Sequence, residues 1–84
     1  MTSGRNTPAD RELMKISEAA RASGVSTQTV EYYIMLGLVE PLRLAGRRGR
    51  LFDATHVKRI RLIRKLNESG YTLRAIRETY LRGR

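Results

Sequence analysis

The sequence predicts a mostly α domain of about four helices with one short β-hairpin, and three observations carry that prediction. Hydroxyl or carboxyl side chains stand where helices should begin, at Ser17, Ser26, Asp53 and Thr72. Glycines stand where they should end, at Gly24, Gly37 and Gly70. Between the second and third helical patterns lies "LRLAGRRGRLF", two short alternating apolar runs around a Gly- and Arg-rich tip. With 84 residues the chain fits one small domain, which buries only about 60% of its unfolded surface, so a large enclosed active site is not expected.

Residues 1–13 read as a flexible N-terminal arm, because Gly, Ser, Asn and Thr surround Pro8 and apolar residues begin only at Leu13 and Met14. A short turn can form inside it, with Thr7 as N-cap, Pro8 at the first helical position and Asp10 in the first turn. Residues 14–84 read as one binding domain. Its first helix has Ser17 as cap and a small apolar face of Ile16, Ala19 and Ala20, suited to close approach by another helix. The second starts at Ser26, carries Val30, Tyr33 and Ile34 at helical spacing, and stops at Gly37. After the hairpin, Asp53 caps a longer helix with Val57, Ile60, Ile63 and Leu66 inward and Lys58, Arg59, Arg61, Arg64 and Lys65 mostly outward. Thr72 caps a last helix with Leu73, Ile76 and Tyr80 on one face.

Charge narrows the partner. The chain has 17 Lys and Arg against 8 Asp and Glu, a net charge of +9 and a sequence pI near 11.1. Such an excess is either solvated or answered by a polyanion, and nucleic acid leads. The basic residues are spread over several segments and no long apolar stretch or signal-peptide core occurs, so a soluble, cytoplasmic protein without membrane association is expected. Without cysteine there is no disulfide framework and no thiolate site. The acids show no paired or metal-ligand spacing, no phosphate-cradling glycine loop occurs, and His56 stands alone and reads as a surface residue. No catalytic residue, cofactor or metal is expected, and the chain is not read as an enzyme.

Two helices joined by Gly24, Val25 and Ser26 form a helix-turn-helix, and the Arg-rich hairpin after it forms a wing. A major groove about 12 Å wide accepts one helix, while a cationic wing can follow adjacent phosphates. Thr27, Gln28 and Glu31 face outward, with Gln28 and Glu31 addressing bases. Ser26 and Thr29 serve as cap, as phosphate contacts, or as both. Tyr32 and Tyr33 lie about 100° apart on the helix, so they cannot face the same way. Tyr33 follows Val30 into the core; Tyr32 either places its hydroxyl on a phosphate or packs at the surface. Arg47, Arg48 and Arg50 form the densest cationic cluster, with Arg43 nearby, and are expected on phosphates. The basic face of the Asp53 helix reads as solvated rather than binding.

From Ile16 to about Leu81 the chain resembles the DNA-binding domain of the MerR family of transcriptional regulators, through "ISEAARASGVSTQTVEYY", "LGLVEP", "RLFD" and "IRLIRKLNESGYTLRAI", in that order. The wing "LAGRRGRLF" is also similar to the heat-shock-repressor branch. The resemblance implies a four-helix winged helix-turn-helix domain and a bacterial, nucleoid-associated regulator of transcription. It also implies DNA contacts from the second helix, its tyrosine pair and the wing. Two departures stand out. Where the family usually has Thr, an aliphatic residue, Arg, Tyr, Tyr, Glu, this chain has Thr29, Val30, Glu31, Tyr32, Tyr33, Ile34. Glu31 is tolerated in a groove if it gains a base contact, pairs with a neighbouring arginine, or disfavours wrong sites. Family members usually continue into a dimerisation helix and an effector domain, so this chain is expected to be a monomer in dilute solution and to pair only on DNA or through a further C-terminal helix. Two other readings stay open: a protein-interaction module on a degenerate winged helix, and a small architectural DNA-binding recombination factor.

Overall fold

The computed structural model describes residues 12–81. The expected turn at Thr7, Pro8 and Asp10 lies outside them. Four helices occur in the described residues: α1 (Ile16–Ser23), α2 (Thr27–Met35), α3 (Ala54–Glu68) and α4 (Leu73–Ile76).

The helix ends follow the sequence signals with two corrections. Ser26 Oγ accepts the Thr29 N–H at 3.1 Å, Asp53 Oδ1 accepts that of Thr55 at 2.9 Å, and Thr72 Oγ1 accepts that of Ala75 at 3.0 Å. For α1 the cap is Lys15, not Ser17, which lies inside the first turn. A lysine cannot accept from the helix, so the start is secured from the other side: the Glu18 carboxylate accepts the Lys15 N–H at 2.9 Å. At the far ends, α1 and α2 close in the same way. Gly24 (φ 76°) and Gly37 (φ 79°) take the left-handed conformation, and the next residues, Val25 and Leu38, donate back to the carbonyls of Ala20 and Tyr33 at 3.1 and 2.9 Å. The second correction concerns the last helix, expected to be one regular α segment. It is a single α turn that passes into a π-helical stretch, Arg77–Leu81, so the hydrogen-bond register shifts there. The expected placing of Tyr80 lies outside the described side chains.

The wing is less regular than a two-stranded hairpin. Leu42 and Leu51 exchange both backbone hydrogen bonds, at 2.8 and 3.0 Å, and no further rung follows. Gly46 and Gly49 both have positive φ, near 79° and 76°, which takes the eight-residue loop out of extended geometry before a ladder can grow. The other side of this ribbon holds a pairing that the sequence did not suggest: Met14 and Phe52 exchange hydrogen bonds at 2.8 and 2.9 Å. The end of the N-terminal segment thus closes the base of the wing.

One core joins the elements. Ala19 and Ala20 of α1, Val30 and Tyr33 of α2, Leu38 and Val39 after it, Phe52, Ile60 and Ile63 of α3, and Ile76 of α4 are all buried together. The two alanines bring α1 close to both α2 and α3, and α4 also packs on α3. Burying side chains as large as Phe, Leu and Ile stabilises the fold by about 1.5–3 kcal/mol each, before ordering costs are counted.

His56 departs from the surface reading. It is partly buried in the first turn of α3, its ring edge-on to Phe52 with centroids 5.5 Å apart. Nε2–H donates to the Glu40 carbonyl at 2.9 Å, because a carbonyl can only accept. Nδ1 lies 2.9 Å from Asp53 Oδ1 and 3.0 Å from the Asp53 nitrogen. The contact with Asp53 is local, but nothing in the sequence marks the carbonyl partner 16 residues away.

Burial raises the Asp53 carboxyl, but hydrogen bonds from the His56 side chain and backbone and from Thr55 outweigh it and leave the group below its ordinary value. A depressed folded value stabilises above the unfolded value and is lost as pH falls through the folded one. Asp53→Ala should therefore cost about 0.5–2 kcal/mol at neutral pH in urea unfolding. Asp53→Asn, which keeps an acceptor without the charge, should cost less, and its gap from wild type should close as pH falls below the ordinary 3.8.

Candidate nucleic-acid interface

Helix α2 buries one side and exposes the other. Val30 and Tyr33 face the core, and burial holds the Tyr33 phenol above its ordinary value, so that ring is a packing group. With about 100° per residue, Thr27, Glu31, Met35, Gln28 and Tyr32 follow one another across an arc of about 140°. All five are exposed. Tyr32 is 48% exposed and Met35 72%. Met35 was not singled out from the sequence, although it stands four residues after Glu31, and helix phase alone puts it on the same face. Ile34, where the family usually has an acid, packs against the core from its edge.

The start of α2 offers further donors. Ser26 Oγ lies 3.0 Å from Thr29 Oγ1 besides accepting the Thr29 N–H. The N–H groups of Thr27 and Gln28 are among those a helix N-terminus leaves without an intrahelical partner, and they open toward solvent.

The wing meets this face through one ion pair. Arg50 Nη1 and Nη2 donate to Glu31 Oε1 and Oε2 at 2.9 and 2.8 Å, a two-pronged contact between residues 19 apart in sequence. Its side chains remain 29% and 47% exposed. The Arg50 hydrogen bond is the main reason the Glu31 carboxyl sits below its ordinary value, with partial desolvation opposing and charge attraction assisting. The same hydrogen bond raises the guanidinium above its usual value. Pairing with a neighbouring arginine, one of the three ways in which Glu31 can be tolerated, is present.

The remaining wing cations are free. Arg43, Arg47 and Arg48 are exposed, and their side chains make no ion pair or hydrogen bond to the described residues. The Arg47 N–H closes the tip by donating to the Leu44 carbonyl at 3.0 Å, which leaves its side chain available. Arginines of α3 behave differently. Arg59 donates to the Leu38 carbonyl and Arg61 to the Ala22 carbonyl, each at 2.8 Å, and Arg64 pairs with Glu68 at 2.9 Å. The Arg61 guanidinium holds the last turn of α1 and that of Arg59 the segment following α2, a use of charge that the outward pattern of α3 does not disclose. Among the described residues no group of three His, Cys, Asp or Glu could hold a metal ion, and no helix is long and apolar enough to cross a membrane.

The sequence model of the family described as MerR HTH family regulatory protein matches residues 14–82. The chain is 32% identical over 65 residues to the HTH-type transcriptional regulator HmrR of Sinorhizobium medicae, covering 77% of this chain and 44% of that protein. It is 39% identical over 69 residues to a Streptomyces coelicolor protein described as a putative heat shock protein, HspR, covering 81% and 45%. Its fold is similar to that of a transcription regulator from Ralstonia metallidurans CH34 solved in complex with lead(II), with TM-score 0.67, 32% identity, and coverage of 77% of this chain and 49% of that one. The chain thus spans less than half the length of these relatives. The family match takes in almost every described residue, and the chain belongs to the MerR HTH family of regulatory proteins.

Proposed function

We propose that this chain is a sequence-specific double-stranded DNA-binding regulator of transcription, with α2 in the major groove and the wing on phosphates. The observation that carries the reading is the Glu31–Arg50 pair, because it ties the wing and its free arginines to the exposed arc of α2. Gln28 and Glu31 address bases, Thr27 joins them at the start of the helix, and Ser26, Thr29 and the Tyr32 hydroxyl meet the backbone. Arg43, Arg47 and Arg48 neutralise phosphates directly. Arg50 joins them with the N–H groups that Glu31 leaves over. The domain acts by binding rather than catalysis, in the cytoplasm with the nucleoid.

Two copies pair on DNA rather than free in solution. The exposed large apolar side chains among the described residues, Tyr32, Met35, Leu62 and Tyr71, are dispersed over three segments and do not make one broad patch. Sedimentation equilibrium should show a monomer at micromolar concentration and a two-copy complex once a duplex containing the site is added. A stable dimer without DNA would overturn the assembly reading.

Fluorescence anisotropy with labelled duplexes tests the wing. Replacing Arg47 and Arg48 together by Ala should weaken binding to every sequence and reduce the log–log salt slope by about 0.9 for each phosphate no longer neutralised. An unchanged slope removes the wing from the interface. If the wild type binds no duplex and instead captures a protein through α2, the protein-interaction reading replaces this one.

A further inference from the structure

Resting on the DNA-binding reading above, we infer that Glu31 reads a cytosine through its exocyclic amino group, and that Arg50 is the positioning residue that holds the carboxylate for this contact.

Charge is the first constraint. A bare carboxylate in the groove faces the phosphates on both walls, and a glutamate on an exposed helix face has several rotamers open to it. The two-pronged contact with Arg50 removes both difficulties: it neutralises the group and fixes its plane. It does so without consuming the site. Each Glu31 oxygen accepts one hydrogen bond from Arg50 and keeps a second lone pair, and nearly half of the side chain remains open. Arg50 uses one N–H on each terminal nitrogen and keeps its other donors.

Backbone geometry makes Arg50 suited to this task. It precedes Leu51, whose backbone is held by Leu42, and it follows Gly49 at positive φ, so its main chain is anchored on the ribbon side of the loop. Arg47 and Arg48 sit at the tip, away from that bridge. The wing therefore carries two kinds of arginine, one held against α2 and the others free to follow a backbone.

Base edges differ in what they offer an acceptor that stands beside donors. Guanine presents O6 and N7 in the major groove and thymine presents O4, all acceptors that repel a carboxylate. Adenine offers its amino group beside the acceptor N7. Cytosine offers its amino group with no acceptor of its own in the groove, and its paired guanine presents acceptors alongside. Glu31 accepting from cytosine N4 matches that edge. A lone arginine at position 31 would select the reverse, a guanine.

Selection from a pool of randomised duplexes, followed by competition binding on single-base variants of the selected site, tests the inference. The wild type should prefer cytosine at one position by on the order of tenfold or more. Glu31→Ala should abolish that preference and leave preferences elsewhere in the site. Arg50→Ala should reduce the same preference to below about threefold, a change that removing a phosphate contact alone does not produce, since backbone contacts carry no sequence information. The exchanged double variant, Glu31→Arg with Arg50→Glu, keeps the pair and should move the preference to guanine, with thermal melts showing that it folds. A cytosine preference that survives Arg50→Ala overturns the positioning role. A duplex-binding wild type whose base preferences do not respond to Glu31 substitution overturns the readout. Failure of the wild type to bind any duplex overturns the DNA-binding reading itself and this inference with it.

Discussion

Ile60 and Ile63, both completely buried, make α3 the surface on which the small domain is assembled. A chain of this size has one core, and its one long helix must serve every other element. Helices α1 and α4 pack on α3, and α2 reaches it through α1. The alanines of α1 matter because a larger side chain at Ala19 or Ala20 would hold α1 away and tilt α2 with it. The orientation of α2 is thus set from behind, which leaves its outer arc free of any structural duty except the contact with Arg50.

The same helix shows how a large positive charge divides into structural and available parts. Arg61 turns back onto the Ala22 carbonyl in the last turn of α1, where the helix dipole leaves partial negative charge, and Arg59 onto the Leu38 carbonyl just after α2. Arg64 lies so close to Gly24 that a Cβ added there would meet its Nη1 at 2.8 Å. The side chains of Arg43, Arg47 and Arg48 have no such engagement with the described residues. A net charge of +9 points to a polyanion, but it does not say which cations meet it. Only the distribution of partners does.

Between these groups stands the Glu31–Arg50 pair. Exposed ion pairs contribute little to stability, so its importance is geometric. It joins a loop with a single bridged rung to a helix held by the core, and gives the wing a fixed relation to α2 that its own backbone does not provide. The knot of Asp53, His56 and the Glu40 carbonyl does similar work on the other side of the wing, where the chain leaves Phe52 and enters α3.

How much of this was legible differs by interaction range. Caps and stops act within four residues, so Ser26, Asp53, Thr72, Gly24 and Gly37 could be read directly, and the apolar spacing of Val57, Ile60, Ile63 and Leu66 announced the inner face of α3. The ordered motifs from Ile16 to Leu81 carried the family, and phase on α2 separated Tyr33 from Tyr32. The missed features are those whose partners are distant or whose geometry is cooperative. Met14 finds Phe52, His56 finds Glu40, and Arg59 and Arg61 find carbonyls 21 and 39 residues away. The hairpin is shorter than its alternation suggests, because alternation signals extended chain but does not count the rungs that two positive-φ glycines allow. By itself, then, the sequence determined the helices, their faces and the cationic loop, because propensity and periodicity are local. Which charges are free, which are occupied, and that Glu31 is answered by Arg50 were decided only when folding brought residues together, since an ion pair depends on distance in space and not on separation along the chain.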